Sequence, residues 1–123
     1  MRGVIPRAYC IAALLACAVG LATTSACADE AAETGMGIVY GETEMAKSVC
    51  SGLVLDEAVR ADLMAKKGVD PLKPTAAFKA GVTEADERAA EAVANERLRS
   101  FCLEMRGAYG MNGTSVPGLL RDK

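Results

Sequence analysis

Histidine is absent from the 123 residues, tryptophan is absent too, and the aromatics amount to three Tyr and two Phe. Without an imidazole there is no Ser-His-Asp or Cys-His catalytic pair and no histidine-based zinc site. A basic excess is also missing. Lys and Arg number 14 against 16 Asp and Glu, a formal net charge of −2. A chain so balanced lacks the field that gathers nucleic acid or an anionic membrane surface, so no nucleic-acid partner is expected. Nor does any uncharged apolar run reach the roughly 20 residues of a membrane-spanning helix. At this length one small core fits, and two do not.

The N-terminus has the three parts of a secretory signal peptide. Arg2 and Arg7 supply the positive end, Ala8 to Ala22 is an uncharged apolar stretch, and Ala26-Cys27-Ala28 is a small-x-small site ahead of Asp29-Glu30. The expected cut lies between Ala28 and Asp29, which makes residues 1–28 the signal and sends the mature chain to the periplasm or out of the cell. Two alternatives stay open, and the plainer is an uncleaved membrane anchor. Ser25-Ala26-Cys27 is similar to a bacterial lipobox, although Thr24 stands where an aliphatic residue belongs, and acylation at Cys27 would anchor the chain in the envelope.

Removing 28 of the 123 residues leaves 95 that are not expected to span a membrane. Cys10, Cys17 and Cys27 depart with the signal, and Cys50 and Cys102 remain. An even pair in an exported chain reads as a disulfide. Among those 95 residues only 19 are Leu, Ile, Val or Phe, the border of what sustains a core.

Periodicity predicts an all-α fold, with two long antiparallel helices joined by the disulfide. Residues 29–42, with glycines at 35, 37 and 41, read as a flexible lead-in. Residues 43–109 form the helical domain. Its first helix runs from an N-cap at Thr43 to Lys66-Lys67-Gly68, with a possible break at Ser51-Gly52. In that helix Leu53, Val54, Ala58, Ala61 and Ala65 share a face with Cys50, and Leu55, Val59 and Leu63 form a second stripe. A proline-punctuated connector follows, in which a turn at 75–79 sets Phe78 on the core. The last helix is expected to start at Thr83. Its first half, residues 84–93, is alanine laced with charge and suits solvent or a partner, while Ala94, Leu98, Phe101, Cys102, Met105 and Tyr109 form a narrow apolar stripe. Residues 110–123 are a glycine-rich tail. With the helices antiparallel, both cysteines stand roughly 26 Å from the connector, at matching heights.

Sharper chemistry has little to work with. Redox dithiols usually lie close in sequence, whereas these cysteines are 52 positions apart, so a structural bridge is the better reading. Met36, Met45, Met64, Met105 and Met111 are scattered, as core filler is and a copper site is not. Glu84, Asp86, Glu87 and Glu91 crowd a stretch that looks solvated, where no pair of pKa values is driven apart. No catalytic residue, metal, cofactor or small-molecule substrate is expected.

Three features carry a resemblance: a cysteine after the first amphipathic helix, Ser100-Phe101-Cys102, and the closing Pro-Gly-Leu-Leu-Arg at 117–121. Over residues 44–121 the chain resembles small exported two-cysteine proteins of unknown function (DUF-type) from Gram-negative bacteria, a likeness that implies no activity. Its plan is also similar to that of the periplasmic acid-stress chaperones, which are small, helical and carry one disulfide. The function expected is that of a non-enzymatic accessory or protein-binding module that docks onto another envelope protein, with a stress chaperone as the alternative.

Overall fold

The computed structural model describes residues 21–123, with side chains from residue 29 onward. The chain divides into two units, Met1–Ala32 and Glu33–Lys123. The described part of the first is an alanine-rich helical stretch whose residues from Asp29 to Ala32 are exposed.

Helix α1 spans Leu21–Val49 and includes the glycines of the expected lead-in. Residues 29–42 are therefore helix, which corrects the sequence reading, and the reason is packing. A Cβ on Gly37 would fall 2.1 Å from the Phe78 carbonyl oxygen, and one on Gly81 would fall 2.1 Å from that of Thr34. One turn on, a Cβ on Gly41 would sit 2.7 Å from that of Ala85. Gly37 and Gly41 thus let α1 lie backbone-to-backbone against Gly81 and Ala85, and that contact offsets the roughly 1 kcal/mol each glycine costs a helix. Thr43 is correspondingly no cap. It is fully buried within α1, and its hydroxyl donates back to the Val39 carbonyl at 2.8 Å.

The chain leaves helix at Cys50 and turns through Ser51-Gly52 into a short strand β1, Leu53–Leu55. Helix α2, Glu57–Lys66, is capped by Asp56, whose carboxylate accepts from the Val59 amide at 3.0 Å. It ends as its sequence predicts. Gly68 adopts φ +69°, the Gly68 amide bonds Ala65 O, and the Val69 amide bonds Met64 O, a Schellman stop. The first helix of the sequence reading is thus two helices with a strand between. Its proposed stripe fails accordingly: Leu53 is buried, while Val54, Ala58, Ala61 and Ala65 are exposed. Of the second stripe, Leu55 is buried, Leu63 is half-buried and Val59 is exposed.

Helix α3, Ala76–Ala94, starts seven residues before the expected Thr83, because Thr75 caps it by accepting from the Phe78 amide. Phe78 is buried as expected. Ala85, Ala89 and Ala92 are buried as well, so a stretch expected to face solvent or a partner lies partly in the interior, and the small side chain of Ala85 is what the close approach of α1 requires. A second Schellman stop breaks the expected long helix, with the Arg97 amide on Ala92 O and Glu96 at φ +56°. Helix α4, Leu98–Tyr109, then buries Phe101, Met105 and Tyr109 at i, i+4, i+8.

The tail is structured. Strand β2, Leu120–Asp122, pairs antiparallel with β1 in the register Leu53↔Asp122, Val54↔Arg121, Leu55↔Leu120. Leu119 and Leu120 are fully buried, and the Asp56 amide donates to the Leu119 carbonyl. The fold is mostly helical and carries a two-stranded sheet, a departure from the all-α expectation.

Candidate functional site

Cys50 and Cys102 are joined, with a Cα–Cα distance of 5.6 Å. The bridge ties the residue after α1 to α4, rather than two long helices, and Cys50 sits just outside a helix instead of within one. Cys50 is buried and Cys102 is half-buried. A groove of about 280 Å³ runs past both, and its rim includes Leu98, Arg99, Arg106 and Gly52.

Residues 40–44 of α1 carry the densest polar constellation. The Glu42 carboxylate is 5% exposed and accepts twice: from the Tyr109 hydroxyl at 2.5 Å and from Arg88 Nη1 at 2.5 Å. Arg88 also reaches Glu84 one turn earlier on α3, at 3.1 Å. Glu42 thereby couples α1, α3 and α4. Arg60 of α2, 7% exposed, meets the neighbouring face of α1. Its guanidinium donates to the Thr43 hydroxyl at 3.1 Å, pairs with Glu44, and lies 4.1 Å over the Tyr40 ring centroid. Among the described residues no buried side-chain polar atom lacks a partner. A charge taken out of water needs such partners, and both clusters supply them.

Burial, reinforced by the bond to Glu42, pushes the Tyr109 phenol well above its ordinary value of about 10. Tyr109 therefore keeps its proton and serves as a donor, not a base. A phenol raised in the fold stabilises it below about pH 10, and that contribution is lost as pH climbs further. An absorbance titration should accordingly show Tyr109 ionising only as the fold opens in alkali. Tyr109→Phe, which leaves a buried carboxylate one donor short, should cost about 1–3 kcal/mol in thermal or urea unfolding. Ionisation of Tyr109 near its ordinary value with the fold intact would contradict this arrangement.

A second groove, of about 580 Å³, lies along α2 between Tyr40, Met64, Val69, Pro71 and Leu72, with Glu57, Arg60 and Asp70 as its polar members. Leu72 is 91% exposed. It is held on a turn in which Asp70 accepts from both the Leu72 amide (2.9 Å) and the Lys73 amide (3.0 Å).

The other residues singled out in the sequence scatter. Glu84, Asp86, Glu87 and Glu91 are exposed, with Glu84 on Arg88 and Glu91 on Arg97. Met64 and Met105 are buried, whereas Met111 is exposed. Among the described residues no three Cys, Asp or Glu gather as a metal site. None of the described helices is long and apolar enough to cross a membrane. The expected cut between Ala28 and Asp29 falls within the range of α1, and residues 1–20 of the expected signal lie outside the described residues. Glu42, Arg60 and Tyr109 were missed as a group. The available signal was Glu42 in register with Val39 and Ala46 once 38–46 is read as helix, an acid inside an apolar stripe.

The chain matches no family model, no curated protein and no solved structure.

Proposed function

We propose that this chain is exported and works as a non-enzymatic accessory module that binds another protein of the bacterial cell envelope. The observation that carries the reading is Leu72, an apolar side chain fully presented to solvent on a turn fixed by Asp70 and bracketed by Pro71 and Pro74. A preordered apolar side chain beside a groove loses little entropy on docking, which is how anchor residues contribute affinity. The internal use of Glu42 and Arg60 supports the non-enzymatic part, because each buried charge is already engaged by fixed partners. The resemblance to exported two-cysteine proteins agrees with an envelope location, either as a soluble chain starting at Asp29 or as one acylated at Cys27.

The test is crosslinking and affinity capture of the exported protein. Leu72→Asp should lower recovery of a stoichiometric partner at neutral pH at least about tenfold, since an unpaired charge is carried into the contact. Its unfolding should stay within about 0.5 kcal/mol of wild type, as expected for an exposed site. Undiminished capture by Leu72→Asp would remove the reading. A second reading, an acid-stress chaperone, draws on Glu42. The buried Glu42 carboxylate pairs with Arg88 and links α1 to α3. Many clients captured only at acidic pH would favour that alternative.

A further inference from the structure

The bridge has two chemically unequal ends. Cys50 is 3% exposed and follows the C-terminus of α1, where the helix dipole opposes a thiolate. Cys102 is half-buried on α4, with Arg99 three residues before it and Arg106 four residues after it, so both guanidinium-bearing residues share its face. All three line the groove of about 280 Å³ that runs past the bridge. Arg106 is held at the rim by Asp122 at 2.9 Å, and its Nη2 would lie 3.8 Å from a Cβ on Gly52. Both cysteines line this recess with the two arginines, but Cys102 is half-buried and shares a helix face with them, whereas Cys50 is 3% exposed.

We propose that Cys102 is the sulfur through which this bridge exchanges with small anionic thiols and disulfides of the glutathione type, with Cys50 as the resolving sulfur. In oxidation the Cys102 thiolate attacks an external disulfide, a Cys102 mixed disulfide forms, and one external thiolate leaves. Cys50, its proton lost to water, then attacks Cys102 Sγ and expels the second external thiolate. Two protein thiols are oxidised and one external disulfide is reduced to two thiols. The reverse path is the same path: an external thiolate attacks Cys102 Sγ, the intramolecular bond breaks, and Cys50 leaves as the thiolate. Arg99 and Arg106 act as positioning residues. They attract the anionic reagent and stabilise the Cys102 thiolate.

The experiment uses the oxidised wild-type protein under native conditions, treated with reduced glutathione and excess iodoacetamide, and mapped by peptide mass spectrometry. The expected product carries glutathione on Cys102 and carbamidomethyl on Cys50, in excess over the opposite labelling by about tenfold or more. Arg106 is shared with Asp122, so Arg99 is the cleaner probe. Arg99→Glu should slow the reaction with glutathione by about fivefold at low salt, while leaving that with uncharged 2-mercaptoethanol nearly unchanged. Arg99→Gln should fall between Arg99→Glu and wild type. Glutathione on Cys50, an even mixture, a rate insensitive to Arg99, or a rate that rises with urea in step with global unfolding would each overturn the proposal.

Discussion

Replacing Cys50 and Cys102 together with alanine is expected to lower the stability of the fold by about 4 kcal/mol. The bridge closes a loop between residues 52 apart, and releasing it returns that conformational freedom to the unfolded chain. Few other contacts compensate. The buried apolar set is led by Met64, Phe78, Phe101, Met105, Leu119 and Leu120, with alanines filling much of the remainder. Domains of this size commonly depend on such a staple. The tail is exposed to the same loss, because β2 reaches α4 and β1 beside the bridge. Urea unfolding of the double variant, compared with wild type before and after reduction, checks this. The reduced wild type should approach the variant, and a difference below about 1 kcal/mol would show that the core holds without the bridge.

The second large effect is a contrast between two glycines. Gly81→Ala should destabilise by about 3 kcal/mol, because its Cβ would lie 2.1 Å from Thr34 O, 2.8 Å from Ile38 N and 3.0 Å from Gly37 Cα. All three are backbone atoms, so no side chain can rotate away. Relief requires α1 and α3 to separate, which loosens Gly37 on Phe78, Gly41 on Ala85 and the Glu42–Arg88 pair together. Gly35 lies on the same helix as Gly37, but a Cβ there meets nothing within 4 Å. Gly35→Ala should therefore stabilise by up to about 1 kcal/mol, the ordinary helix preference for alanine. The same chemical change with opposite signs is the signature of a helix crossing. Two substitutions of like sign in thermal unfolding would reject it.

The amino-acid sequence by itself determined what depends on neighbours in the chain. Lys66-Lys67-Gly68 ends α2 because only a left-handed residue makes that stop and glycine adopts it without strain. Phe101, Met105 and Tyr109 follow helical period and are buried on one face of α4, and Phe78 was placed on the core by the turn that carries it. The pairing of Cys50 with Cys102 followed from counting, and the bond is there. The tertiary structure decided the rest. Gly35, Gly37 and Gly41 read as a flexible lead-in because a glycine's cost in a helix is local, while its benefit at 37 and 41 lies in α3, some forty residues away. Glu96 breaks the last helix in a left-handed conformation that its sequence does not announce, since glutamate is an ordinary helix former there. Strands β1 and β2 are three residues each, too short to show alternation, and exist because Leu53–Leu55 meets Leu120–Asp122 across the whole domain. Glu42, read as the end of the lead-in, is buried because Tyr109 and Arg88 arrive from two other helices. Capping and periodicity act within a few residues and can be read in order, whereas burial of a charge or a glycine depends on what the fold brings opposite it.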